Sequence, residues 1–182
     1  MDTALPVWLL DVDGVLNASR PGWGGPPRTR NAVSNGVGYR IRWSPALLDR
    51  VRALHLSGRV EIRWCTTWCP DADQLEALFG LPSLPRAWSM PLFDQEAAAA
   101  KLAAAREVLA SGRALVWTDD TEVPLDGPVR EELLRAGPAL LLRPTPARGL
   151  QPGDLDAIDV FLDSVAAAVA TDHRDHAPEN RR

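Results

Sequence analysis

The sequence is poor in cysteine, in lysine and in long apolar runs, and each shortage excludes something. Two cysteines, Cys65 and Cys69, are too few for a disulfide framework, so a cytoplasmic setting is expected. No histidine stands near them, which argues against zinc and for buried thiols. No uncharged apolar run approaches the ~18 residues a membrane helix needs, so no membrane partner is expected. Residues 1–10 hold Asp2 and no basic residue, unlike a secretory signal. The formal charge of -4 gives no bulk attraction to nucleic acid. Of 20 basic residues only Lys101 is a lysine, the skew of a genome biased toward arginine codons. Acidic residues are missing altogether between Asp13 and Asp49.

What is present suits one compact domain. The 182 residues are enough to bury a sizeable core. Short apolar runs at 7–10, 60–65, 87–90, 114–117 and 139–142 read as strands. Helical periodicity fills 45–56, 70–79, 95–110, 129–136 and 154–170. Ser44 and Pro45 start the first helix and Gly58 follows its end. Strands apolar on both faces, separated by helices, imply an α/β three-layer sandwich with a mainly parallel five-stranded sheet. The domain is expected over 1–170, with 171–182 as a disordered polar tail. Residues 17–39 are rich in Gly, Pro, Asn and Arg and read as a long structureless loop, the core of a flap-like insertion over 17–43.

The first strand runs into Asp11-Val12-Asp13-Gly14-Val15-Leu16-Asn17. Two carboxylates at the C-terminal end of a strand lie where open α/β sheets bind ligands, and Gly14 permits a sharp exit. A solvated turn is the alternative for this motif taken alone. The fourth strand also ends in an acidic pair, Asp119-Asp120. Four carboxylates in one crevice repel one another unless a cation sits among them. Oxygen-only ligation suits Mg²⁺, which keeps waters and takes further ligands from a substrate phosphate. One of Asp119 and Asp120 instead capping the next turn is the competing reading. After the second strand, Thr66 and Thr67 offer a hydroxyl and backbone N–H groups to a phosphoryl oxygen, or else serve as turn and cap.

Were arginine acceptable at position 101, codon bias would place it there, so Lys101 points to a need for a compact ammonium. Its helical neighbours Ala97, Ala98, Ala104 and Ala105 offer it no ion pair. The alternative is an exposed lysine on an alanine-rich helix. Trp64 and Trp117 each stand two residues before a motif residue and read as core beneath the site.

In order, Asp11-x-Asp13-Gly14, Thr66, Lys101 and Asp119-Asp120 resemble the four motifs of the haloacid dehalogenase superfamily. The chain is closer still to the domain of that superfamily found in Swiss Army knife RNA-repair proteins. That likeness rests on residues 11–17, Trp64-x-Thr66-x-Trp68, Leu81-Pro82-x-Leu84-Pro85, Lys101, Trp117-x-Asp119-Asp120 and Gly149-Leu150. The resemblance implies a Rossmann-like sheet of order 5-4-1-2-3 with a minimal cap. It implies that Asp11 is the nucleophile of a phosphatase and forms an aspartyl-phosphate. Asp13 would protonate the leaving oxygen and then activate water. Asp11, the backbone carbonyl of Asp13, Asp119 and Asp120 would hold Mg²⁺, and Thr66 and Lys101 would bind the transferring group.

Only the 17–43 region is long enough to cover such a site. It carries Arg20, Arg28, Arg30, Arg40 and Arg42 interleaved with Trp23, Tyr39 and Trp43. Arginines on phosphates with rings on bases suit a nucleic acid, with Arg40, Arg42 and Thr67 as substrate-binding candidates. The alternative is that these arginines balance nearby acids. The expected function is a Mg²⁺-dependent phosphohydrolase acting on phosphorylated nucleic-acid ends or nucleotides. A phosphatase of a small metabolite and a non-catalytic phosphate- or metal-binding module are its rivals.

Overall fold

A computed structural model describes residues 4–175, and side chains as far as residue 171. The chain forms an α/β fold around a four-stranded parallel sheet. Strands β1 (Val7–Leu10), β4 (Glu61–Trp64), β5 (Leu115–Thr118) and β6 (Ala139–Leu142) make up that sheet in the order β4-β1-β5-β6. Strands β2 (Arg28–Ser34) and β3 (Val37–Trp43) form a separate antiparallel hairpin.

Period-two alternation divides the sheet residues between two cores. Trp8, Leu10, Ile62, Trp64 and Val116 face one side. There they meet α1 (Pro45–Leu56), α2 (Ala72–Phe79) and α5 (Pro152–Asp175). Val7, Leu9, Leu115, Trp117 and Leu141 face the other. They meet α3 (Asp94–Ala110) and α4 (Gly127–Ala136). The second core is thinner, because Ala104 and Ala105 present small side chains there. Trp64 and Trp117 are fully buried, as expected of core.

Four expectations are corrected. The sheet has four strands, not five: the runs at 139–142, 114–117, 7–10 and 60–65 are neighbours in the expected succession, and the edge strand expected at 87–90 is missing from it. Residues 87–90 form no strand. Their neighbour Arg86 makes one parallel bridge to Trp64, with backbone bonds of 2.9 and 2.8 Å on either side. Pro85, which has no N–H to donate, keeps that bridge from extending upstream. The supposed loop over 17–39 contains most of the hairpin, whose Asn35-Gly36 turn has φ of 51° and 76°. The last helix continues to Asp175, so the tail expected from 171 begins as helix. Residues 176–182 lie outside the described residues. No described helix is long and apolar enough to cross a membrane.

Candidate functional site

The adjacency of β1 and β5 brings their C-terminal ends, and so Asp11 and Asp119, side by side. Both carboxylates are buried. Lys101, on α3, reaches between them: its Nζ donates to Asp11 Oδ2 at 2.7 Å and to Asp119 Oδ2 at 2.6 Å. The small residues around Lys101, Ala97, Ala104 and Ala105, are buried with it, which lets the helix lie close enough for the ammonium to reach. The lysine therefore has no partner on its own helix and two across the fold. Carboxylate oxygens of Asp11, Asp119 and Asp120 all lie within 4.8 Å of one another, close enough to share a metal ion. Three carboxylates against one ammonium leave an excess of negative charge that suits a divalent cation.

The two bridged aspartates differ. Burial pushes the Asp11 carboxyl up from 3.8 to about 7; Lys101 opposes this and Asp119 reinforces it. Burial pushes Asp119 upward too, but Lys101 and the backbone N–H groups of Glu122 and Thr121 hold it below the usual carboxylate range. Those N–H groups reach Asp119 Oδ1 at 2.8 and 2.9 Å, so Asp119 caps the following turn and faces the site with its other oxygen. Asp11 Oδ1 accepts the Val12 N–H, at 2.7 Å. Burial, which alone would depress the Lys101 ammonium, is outweighed by Asp11 and Asp119, and its pKa is raised. Burial and then Asp119 raise Asp120.

Gly14 closes the loop under these acids. Its φ is +69°, and a Cβ there would meet the Asp120 carboxylate at 2.2 Å. Gly149 does the same from behind, where a Cβ would meet the Val15 carbonyl oxygen at 2.3 Å. Leu150 then donates its N–H to that oxygen at 2.9 Å. The late Gly-Leu pair is thus a brace for the motif loop. Leu84, from the Leu-Pro repeat, donates its N–H to the buried Glu76 at 2.9 Å, beside the Trp64 indole at 3.0 Å.

Asp13 points elsewhere. It is exposed, and its carboxylate stands outside the three-aspartate cluster. Its Oδ1 accepts from Asn17 Nδ2 at 2.6 Å and its Oδ2 from Trp68 Nε1 at 2.8 Å. Thr66 is fully buried and lends a hydrogen bond to Asp11, whereas Thr67 is exposed. Arg40 and Arg42 line a cleft of about 460 Å³ together with Asp13, Gly14, Asn17 and Ser19. The Arg42 guanidinium donates to the Ser19 carbonyl at 2.8 Å, while the Arg40 guanidinium makes no hydrogen bond or ion pair among the described residues. A second cleft of about 180 Å³ is lined by Asp13, Thr67, Tyr39, Trp68 and Phe93 among others. The structure thus gathers Asp11, Thr66, Lys101, Asp119 and Asp120 in one place, while Asp13, Thr67, Arg40 and Arg42 line two clefts that share Asp13. Asn17 and Trp68 were not singled out as site residues, although both end motif strings in the sequence. Cys65 and Cys69 are buried, and burial raises both thiols.

Compared with protein-family models, with curated proteins and with solved structures, the chain matches none.

Proposed function

We propose that this chain is a Mg²⁺-dependent phosphohydrolase of the haloacid dehalogenase type, with Asp11 as nucleophile. The observation that carries the reading is Lys101 bridging Asp11 and Asp119 at adjacent strand ends, with Asp120 in reach of both. A buried ammonium held by two carboxylates is costly to build for stability alone. It suits a site that receives a further cation and a phosphoryl group. The parallel sheet with helices on both faces is compatible with the Rossmann-like fold of that superfamily.

In this reading an Asp11 oxygen attacks phosphorus as the bond from phosphorus to the ester oxygen breaks. Asp13 gives its proton to that departing oxygen. Asp13, now a carboxylate, takes a proton from water. The water oxygen attacks phosphorus, the bond from Asp11 to phosphorus breaks, and phosphate leaves. Thr66 and Lys101 hold the transferring group and offset its charge. Asp11, Asp119, Asp120 and the Asp13 carbonyl would hold Mg²⁺, which would supply positive charge for the phosphoryl oxygens. The oxygen-only donor set fits that ion.

The favoured substrate is a phosphorylated nucleic-acid end or a nucleotide, in keeping with an RNA-repair role. Its support is the unpaired Arg40 beside Arg42 in the larger cleft and the half-exposed Tyr39 and Phe93 around the smaller one. Both clefts meet at Asp13, where the leaving group would stand. The test is hydrolysis of an aryl phosphate with Mg²⁺. Turnover by the wild type that vanishes in Asp11→Asn supports the reading. A wild type inert toward every phosphomonoester overturns it and favours a binding module. Turnover of small phosphomonoesters with no binding of oligonucleotides overturns the nucleic-acid part alone.

A further inference from the structure

Of the charged groups proposed for catalysis, Asp11, Asp13 and Lys101, only Asp13 has no ionic partner among the described residues, and the two donors that hold it share a feature. Asn17 Nδ2 and Trp68 Nε1 each donate to a different carboxylate oxygen, at 2.6 and 2.8 Å. An amide NH₂ and an indole N–H donate only. They orient the carboxylate without competing for its proton, and each oxygen keeps a further lone-pair site. Both donors are in turn seated on strand β3. The backbone N–H of Arg42 donates to Asn17 Oδ1 at 2.8 Å, which settles which end of the amide faces Asp13. The Ala18 N–H donates to the Arg42 carbonyl at 3.0 Å beside it. The Tyr39 ring meets Trp68 edge to face, with centroids 5.3 Å apart. Trp68 is almost fully buried, and its backbone N–H donates to Thr66 Oγ1 at 3.4 Å.

We propose that Asn17 and Trp68 are positioning residues that aim Asp13 at the leaving oxygen, and that strand β3 of the hairpin is the platform for both. The hairpin is then part of the proton-transfer apparatus as well as a wall of the cleft. This rests on the hydrolase reading above, because the proton moves from Asp13 to the ester oxygen as that oxygen leaves phosphorus. A carboxyl turned away from that oxygen leaves it to depart as an anion. Esters of weakly acidic alcohols and phenols suffer most from that loss.

The test compares phenyl phosphate with a dinitrophenyl phosphate, whose leaving group needs no proton. The readout is kcat/KM, which reports events up to the first phosphoryl transfer. Trp68→Phe keeps a ring against Tyr39 and removes the N–H. Asn17→Asp keeps the acceptor for Arg42 and replaces the amide donor with a second carboxylate. Both variants should lose at least about tenfold more on phenyl phosphate than on the dinitrophenyl ester. Asn17→Asp carries the greater risk of misfolding, and Trp68→Phe then decides alone. Equal losses on the two esters, or none on either, overturn the positioning role while leaving the hydrolase standing. A wild type that turns over neither ester overturns the hydrolase reading and this one with it.

Discussion

Asp11 and Asp13 stand two residues apart on one loop, yet they inhabit opposite kinds of surroundings. The deep half of the site is dry and ionic: Asp11, Lys101 and Asp119 are buried and tied by two short ion pairs. The outer half is open to solvent: Asp13 is exposed and held by two neutral donors, an amide and an indole. The deep groups are carried by the central strands and by α3. The outer ones lean on the hairpin. A group that must make and break a bond to phosphorus benefits from a fixed, desolvated setting where charge interactions are strong. A group that must exchange a proton with water needs access to water. The division matches the roles proposed for the two aspartates.

That division can be broken first in its deep half. Asp11→Asn should lower turnover of an aryl phosphate by about a thousandfold or more in initial-rate assays with Mg²⁺. A smaller loss would place the nucleophile elsewhere. Lys101→Met should cost the metal-free protein about 3–5 kcal/mol in urea unfolding, because two buried carboxylates lose their counter-ion. Added Mg²⁺ should recover part of it, since a ligand that binds only the folded state stabilises it. An unchanged midpoint would mean that the ion pair is as exposed as any on the surface. Gly14→Ala, at the boundary between the halves, should cost about 1–3 kcal/mol through its left-handed φ, with the contact to Asp120 added.

The outer half yields smaller effects. Arg40→Ala combined with Arg42→Ala should flatten the salt dependence of oligonucleotide binding by about two phosphate contacts' worth of slope. An unchanged slope removes the nucleic-acid role of the cleft. An ion cluster outside both halves supplies a baseline. Burial would raise Glu61, but Arg63 and Arg113 outweigh it and hold the carboxyl below its ordinary 4.5. A depressed folded value stabilises above the unfolded one and is lost as pH falls through the folded value. Glu61→Gln should therefore melt below the wild type above pH ~5 and converge with it in stronger acid, in thermal scans across pH.

Much of the deep half was legible in the sequence, because strand ends and helix caps are written locally. Pro45 and Gly58 bracket the first helix, and apolar runs mark all four strands of the sheet. Lys101 stood out by rarity alone, and its partners came from topology that no local pattern encodes. The outer half was harder to read. The hairpin's strands alternate in burial only over Ala32–Ser34 and Ile41–Trp43, and Arg28, Arg30, Asn31, Gly38 and Arg40 break the apolar pattern elsewhere. Its one strong signal was Asn35-Gly36, a two-residue turn between segments pairing from Ser34 and Val37 outward. The apolar run at 87–90 misled in the other direction, since the single bridge falls at Arg86, just ahead of it. Asn17 and Trp68 lie 51 positions apart, and only tertiary structure shows that both turn toward Asp13.

The hairpin is stitched down at both ends. Near its turn, Val33 exchanges two hydrogen bonds with Gln74, at 3.0 and 2.7 Å, and Ser34 donates to Asp71 at 2.9 Å. At its base Arg42 is bonded to Asn17 and Ala18, and Ile41 and Trp43 are sunk in the core. A cover fastened in this way has no free edge on which to swing. In the hydrolase proposed above, no swing of the hairpin would be needed to admit the substrate.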